Sequence, residues 1–526
     1  MTLRHPPLRP FGRGAVPVLT GAESAAFDRH AIARLGVPQP VLMENAGRSA
    51  AQVLQRLFPE GPVVALVGAG NNGGDALVVL RTLQAWGREV HAVFVAERPG
   101  GDPVLHSWPV AGRSDGELGQ EAWTALLAGS AVIVDGILGT GVQGAPRERQ
   151  AEAIRRVNGS GRPVLALDVP SGVDANTGEV HGEAVRADIT VCFGAPKLGA
   201  LLHPGRARAG RVVAVEIGFP PLGPETASAR VATPAWAQER MPARALDTHK
   251  NAVGRVLVVA GKEGMAGAAV LAVRAALRAG AGLVQVCSPA ENRGVLQAAV
   301  PEAIYVDPGV EGALEAALAQ ASAVAVGPGL GTGADAEALL ARVLAGPPPP
   351  LVVDADALNL LAAGRPKGVA EAVAGRRALL TPHPGEMARL RPEDSGAPAR
   401  DRVGAARAAA EAFDCAVLLK GSPSLVAEPG GSVVLDAQGS SDLAVAGMGD
   451  VLTGVCAGLL AQGCPPGDAG AVALYLTGRA GTLAGRGRAL TPPDVVRWLP
   501  EALAERGPGE DRLALPFVLL DLDAPR

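Results

Sequence analysis

Several short stretches of this chain combine chemically able residues with spacings that would aim them. In AGMGDV, Gly447, Met448 and Gly449 lead into Asp450 at the start of an apolar helical run. Free backbone N–H groups at such a helix start make a hole for anionic charge that builds as a phosphoryl group moves. A carboxylate on that first turn is held ionised by the helix dipole and can accept a hydroxyl proton. The plainer reading is a helix N-terminus with a favourable aspartate. A second stretch, GAGNNGGD (Gly68 to Asp75), follows the apolar run Val63–Val67 and opens a helix. There, backbone N–H groups reach phosphate oxygens, and Asn71 and Asn72 add side-chain donors and acceptors. A tight turn would need the glycines but neither the asparagine pair nor the aspartate. The spacing is not GxGxxG, which disfavours a dehydrogenase.

Two further strand ends carry acids. VIVDGILGTG places Asp135 at the end of an apolar run, and VLALDVPSGVD places Asp168 likewise, with Ser171 three residues on. In a parallel sheet the carboxyl ends of strands share one rim, and ligands bind there. Oxygen ligands without Cys or His suit a hard cation rather than zinc, although either aspartate alone also reads as a helix cap. LLKGSPS sets Lys420 in a glycine-rich strand-end loop. The only lysines are Lys197, Lys250, Lys262, Lys367 and Lys420, so one kept there points to a compact point charge; a solvated surface lysine is the bland alternative. TPHPGE carries His383 and Glu386 on a turn, and DADALN carries Asp354, Asp356 and Asn359, acids that also read as structural.

These residues need two α/β blocks to position them. In the first, β-branched runs at 63–67, 90–95, 132–134, 164–167, 189–193 and 212–217 alternate with helical stretches, one expected from near Asp75 to Gly87. Strands of this kind imply a mostly parallel sheet covered on both faces. The Pro- and Ala-rich stretch 219–244 reads as a linker and lead-in. The second block restarts at RVLVVAG and ends in helices beginning at Asp450 and near Ala469.

At 526 residues, with 48% hydrophobic and 19% charged residues and net charge −4, the chain has material for more than one core. No basic stripe is present, which argues against nucleic acid or an anionic membrane as partner. The five scattered cysteines contain no CxxC pair and read as reduced thiols of a cytoplasmic protein. There is no signal-peptide pattern and no uninterrupted apolar run of about 20 residues.

Five motifs in order, VLMENAG, GNNGGD, the VD–LGTG loop, DVPSGVDANTG and ADITVCFGAPK, resemble the YjeF N-terminal NAD(P)H-hydrate epimerases. The resemblance implies a Rossmann-like three-layer sandwich over residues 18–222. In it Asn71, Asn72, Gly73, Gly74 and Asp75, with Gly139, Thr140, Gly141, Val142, Gln143, Gly144 and Ala145, hold the hydrated nucleotide. Asn72, Asp135 and Ser171 take K+, and Asp168 is the acid/base. Ala76 departs from the glycine usual after the aspartate.

HKNAVGRVLVVAG, GMAGAAVLAVRAALRAGAG, GPGLG, DADALN, LTPHPGE, LLKG and AGMGDVLTG resemble the YjeF C-terminal dehydratases. That implies a ribokinase-like α/β domain over 226–510 that uses ADP (or ATP) with Mg2+ on the S hydrates of NADH and NADPH. Asp450 is then the base. Lys420, Gly421, Ser422, Pro423, Ser424 and Gly449 hold the nucleotide, and Ala268, Gly329 and His383 contact the damaged cofactor. The resemblance is to bifunctional repair enzymes, expected as cytoplasmic homo-oligomers. A ribokinase-type kinase, which would show Asn at position 383, and a first domain that only binds remain as alternatives.

Overall fold

The computed structural model describes residues 15–98, 108, 110–141, 144–220, 227–244, 247–250, 252–346, 349–374, 376–394, 396, 401–431, 433–505, 515 and 517–524. They divide between Arg230 and Val231 into two compact units, and the late strand Val518–Leu522 belongs to the first.

In the first unit, the runs Val63–Val67 and Val132–Gly136 are buried along their whole length. Their side chains feed apolar clusters on both faces of one sheet, as a sheet covered on both sides requires. Its eight strands lie in the order Val518–Leu522, Arg211–Val215, Ile189–Phe193, Val164–Leu167, Val132–Gly136, Val63–Val67, Val90–Phe94, Ala111–Ser114. All neighbours are parallel except the first pair. That antiparallel edge strand lies beyond residue 510 and is fastened by Arg211, whose guanidinium donates to both carboxylate oxygens of Asp521.

The helix after Val63–Val67 spans Asn71–Ala85, one turn earlier than its sequence pattern predicts. The stretch NNGG is its first turn. A Cβ at Gly73 would sit 2.1 Å from the Gly68 carbonyl oxygen, so only glycine lets the helix start this close to the strand that feeds it. The same helix lies on Gln39–Leu57 at Gly47, where a Cβ would come within 2.4 Å of Val78.

The second unit repeats the principle with another connectivity. Nine successive strands run Val433–Leu435, Leu425–Ala427, Ala416–Leu419, Ala378–Leu380, Leu351–Val353, Ala323–Val326, Arg255–Val259, Leu283–Cys287, Ile304–Val306. The last seven are mutually parallel, and the first two form an antiparallel meander on Ala416–Leu419. Helix Met448–Ala461 lies against Ala266–Arg278. Gly454 makes that closeness possible, since a Cβ there would be 2.1 Å from the Ala272 carbonyl oxygen. The stretch 219–244 contains a strand, Ala229–Ala232, and a helix, Pro234–Arg240. Among the described residues no helix is long and apolar enough to cross a membrane, and all five cysteines are buried thiols.

Candidate active sites

The first sheet reverses its winding between Val63–Val67 and Val132–Gly136, where Val67 faces Gly136. Ligands of open α/β sheets bind at the carboxyl end of such a switch. Asn72, 7% exposed, donates through Nδ2 to the carbonyls of Leu138 (2.7 Å) and Leu167 (3.2 Å), while its Oδ1 is enclosed without a hydrogen-bond partner. Asp135 is fully buried. Its Oδ1 accepts from Ser171 Oγ (2.6 Å) and the Ile137 N–H, and its Oδ2 from the Ser171 N–H (2.8 Å). Burial pushes its pKa up to about 6 despite those bonds. Ser171 Oγ in turn accepts from the Leu138 N–H at 2.8 Å. Asn72 and Ser171 thus meet at Leu138, and Ser171 ties Asp135 to them. An enclosed amide oxygen without a donor costs about 1–3 kcal/mol. With a buried carboxylate that has no positive neighbour, it makes a site chemically fitted to a hard cation.

Asp168 ends its strand with φ +67, a region that a residue with a side chain adopts only under constraint. Its Oδ1 accepts from Lys197 Nζ at 2.5 Å and from the Phe193 N–H at 3.1 Å. Lys197, whose side chain is 2% exposed, also donates to the carbonyls of Phe193 and Ala195, so all three ammonium hydrogens are taken. Among the described residues only Oδ1 of the Asp168 carboxylate makes hydrogen bonds. Asp28 and Asp75 complete the cluster. Both carboxyls are pushed up, first by burial; the Lys197 charge offsets this in part, and the Asp168 charge adds to it.

Around this centre, Asn71 is exposed at the lip, its Oδ1 accepting from Gln39. The amide N–H groups of Asn71 and Asn72 make no hydrogen bond within the described residues, as a phosphate cradle requires. Arg98 lies over the loop and donates to the carbonyls of Gly68 (2.7 Å) and Gly70 (2.9 Å). Gly139 comes against Asn72, and Ala145 against Gly182. Val142 and Gln143 lie outside the described residues.

In the second unit the equivalent switch falls between Arg255–Val259 and Ala323–Val326. It brings the turn Gly327–Gly331 beside Ala268, with a Cβ at Gly329 falling 3.1 Å from that of Ala268. Asp356 holds the same turn by accepting from the Gly331 N–H at 2.7 Å. Asp354, 1% exposed, accepts from Lys420 Nζ (2.8 Å) and Thr453 Oγ1 (2.7 Å). Burial pushes its carboxyl up, but the Lys420 charge and the bonds from Lys420, Thr453 and Thr381 outweigh it and leave the pKa lowered. For Lys420 burial works downward, yet Asp354, Glu386 (3.8 Å) and Asp450 leave it raised.

Directly above this pair stands the Gly-Met-Gly-Asp turn. Gly447, at φ +87, caps the helix without any side-chain cap, and a Cβ on Gly449 would lie 3.6 Å from Lys420 Nζ. The N–H groups of Gly449 and Asp450 donate to no acceptor within the described residues. Asp450 is partly buried, and its pKa is pushed up to about 6 by burial and by the charge of Asp354, with Lys420 opposing. The loop after Lys420 is closed on itself, Ser424 Oγ bonding both the N–H and the carbonyl of Gly421, while Ser422 is exposed. His383 caps the helix Pro384–Leu390, its Nδ1 accepting from the N–H groups of Gly385 and Glu386, while Nε2 of the exposed ring lies 3.4 Å from Glu386 Oε1.

Sequence reasoning overlooked Lys197, Arg98, Asp28 and Thr453 as members of these sites. It also read Asp354 as structural, although Asp354 is the ion-pair partner of Lys420. For Lys197 the signal was present: the scarcity of lysine that singles out Lys420 applies to it equally.

Two α/β units, each setting unoccupied helix-start amides near a buried lysine–aspartate pair, define an enzyme that binds phosphate-bearing substrates and moves protons. The family model described as NAD(P)H-hydrate dehydratase matches residues 256–500, and that of the YjeF-related protein N-terminus matches residues 39–199. The chain is 39% identical to a bifunctional NAD(P)H-hydrate repair enzyme of Salinibacter ruber, covering 93% of this chain and 96% of that one. It is 37% identical to its counterpart from Moorella thermoacetica, covering 92% and 96%. A Bacillus subtilis ADP/ATP-dependent NAD(P)H-hydrate dehydratase, co-crystallised with ATP/Mg2+, is 27% identical over 52% of this chain and 96% of that one, with a TM-score of 0.44. The chain belongs to the bifunctional NAD(P)H-hydrate repair enzymes, which join an epimerase to a dehydratase. Its two units are accordingly Rossmann-like and ribokinase-like.

Proposed function

We propose that Asp168 is the acid/base of the epimerase and Asp450 the base of the dehydratase, acting on R and S hydrates of NADH and NADPH. The observation that carries this is the turn at Gly449 and Asp450, whose amides are unoccupied and which stands over Lys420. Hydration of an enamine places the hydroxyl on the carbon bonded to nitrogen. Asp450 takes that hydroxyl's proton as its oxygen attacks the terminal phosphorus of ADP, while the two amides and Lys420 stabilise the charge on the moving group. AMP leaves. Loss of phosphate, with a proton from the next ring carbon, then restores the dihydronicotinamide.

In this reading Lys420, Gly421, Ser422, Pro423, Ser424 and Gly449 hold ADP, and Ala268, Gly329 and His383 hold the S hydrate. Mg2+ comes with the nucleotide. Asp354, Asp356, Glu386 and Asp450 outnumber Lys420, so a nucleotide carrying its own cation is the better tolerated, and among the described residues no group of three or more His, Cys, Asp or Glu side chains could hold that metal without it. In the first unit Asn72, Asp135 and Ser171 hold K+, which would neutralise the buried carboxylate and anchor the loop. Residues 71–75 and 139–145 hold the hydrated nucleotide. Buried reduced thiols fit the cytoplasm. Assembly with further copies is supported by the exposed apolar Ile304 on the edge strand and Val295 nearby in sequence.

The test mixes the protein with hydrated NADH, Mg2+ and ADP or ATP and follows dihydronicotinamide absorbance. Recovery should need nucleotide, and Asp450→Asn should slow it by about 10²–10⁴-fold while R and S hydrates still interconvert. An Asp450→Asn protein that restores NADH at the parental rate would remove Asp450 from the chemistry.

A further inference from the structure

Asp75 is anomalous in the cluster of the first unit. It is 8% exposed, yet among the described residues its carboxyl makes no hydrogen bond and no ion pair. Buried polar side chains are nearly always partnered, and one that is not needs an explanation. Helix capping does not supply one, because Gly70 is the cap and the N–H groups of Gly73 and Gly74 return to its carbonyl. Nor are its oxygens sealed off, since they are not among the fully enclosed atoms that lack a partner.

The surroundings are acidic. Asp28 from helix Gly21–Ala33, Asp75 from helix Asn71–Ala85 and Asp168 from the strand end feel one another, with Lys197 acting on both Asp28 and Asp75, Arg98 on Asp75 and Arg29 on Asp28. Lys197 is committed to Asp168 and two carbonyls, and Arg98 donates to Gly68 and Gly70. Ionisation of Asp75 is therefore opposed by burial and by two neighbouring carboxyls, and both cations that act on it are already engaged with other groups. Burial, then Asp168 and Asp28, push the Asp75 pKa well above the carboxylate range. An acid kept neutral beside an ion-paired carboxylate is the arrangement that assigns one group as proton donor and the other as acceptor.

We infer that Asp75 is the proton-donating partner of Asp168, a second catalytic residue of the epimerase site. The inference rests on the role of Asp168 proposed above. Asp168 takes the hydroxyl proton as the carbon–nitrogen bond breaks and a carbonyl forms. Asp75 gives its proton to the departing nitrogen. Rotation about the adjoining carbon–carbon bond presents the other carbonyl face. Nitrogen then attacks that face, its proton returns to Asp75, and Asp168 returns its own to the oxygen. Charge in the pocket is conserved throughout, which suits an enclosed cluster.

The test measures interconversion of separated R and S hydrates, without nucleotide, in the full chain. Asp75→Asn should lower kcat by about 10²-fold or more with little change in KM, and Asp75→Glu should recover part of the rate. The parental rate should decline at alkaline pH as Asp75 loses its proton, and the residual Asp75→Asn rate should lack that decline. Because the amide replaces a neutral, unpartnered carboxyl, the variant should melt no lower than the parent, and its dehydratase rate on the S hydrate should be intact. A raised KM with unchanged kcat would make Asp75 a binding group only, and loss of rate in Asp28→Asn instead would move the role to Asp28. Either overturns the inference. A parental protein that does not interconvert the epimers would bring down the Asp168 assignment itself, whereas an active parent matched by Asp75→Asn sinks this inference alone.

Discussion

Both units bury a lysine–aspartate pair at the carboxyl ends of parallel strands, but they use it differently. Lys197 is spent: its side chain is 2% exposed and its hydrogens go to Asp168, Phe193 and Ala195. Lys420 is 19% exposed, has one close partner in Asp354, and has the unoccupied amides of the Gly449 turn above it. In the mechanism proposed above, the first pair orients a carboxylate for proton transfer, while the second keeps donors in hand for a phosphate and the proton is left to a separate acid, Asp450. The difference lies in how much of the ammonium the protein itself consumes.

Breaking each pair sharpens that contrast most. Lys197→Met strands a buried carboxylate and should cost about 3–5 kcal/mol, read as a fall in the denaturant midpoint, with loss of epimerisation. Lys420→Met, at a less enclosed site, should cost less, raise the KM for nucleotide and regain stability when combined with Asp354→Asn. Equal damage from both changes would erase the distinction.

The pH dependences should oppose each other. As the proposed base Asp450 has to be ionised, and its pKa is pushed up to about 6. Dehydratase kcat/KM should therefore fall about tenfold per unit below that value, whereas epimerisation should fall on the alkaline side, where Asp75 loses its proton. The smallest effect concerns Ala76. Ala76→Gly should destabilise the helix Asn71–Ala85 by about 1 kcal/mol without changing the epimerase rate, as differential melting and hydrate exchange would show.

Much of this was legible in the sequence wherever a local pattern carries it. Val63–Val67 and Ile189–Phe193 are short runs rich in β-branched residues, which strands favour, Val164–Leu167 is a short apolar run too brief for a helix, and all three are strands with those bounds. The acids at their ends follow from the rim that such strands share. The start of helix Asn71–Ala85 was displaced because Asn and Gly are poor helix formers, and the packing on Gly68 that overrides this is invisible locally. Strand Val518–Leu522 was missed because its partner lies some three hundred residues upstream, and one strand edge carries no signal of so distant a mate. The pairing of Lys197 with Asp168, and of Lys420 with Asp354, likewise comes from folding and not from spacing. That is why Asp354 looked structural and Lys197 went unassigned.

The central claim is that two separate aspartates serve two reactions in one chain, and following R and S hydrates of NADH separately tests it most directly. With ADP and Mg2+ the parental protein should consume both epimers. Asp168→Asn should restore NADH from the S fraction alone and leave the R fraction to its spontaneous exchange. If that variant instead clears both epimers at the parental rate, the first unit does no chemistry through Asp168 and the division of labour is wrong.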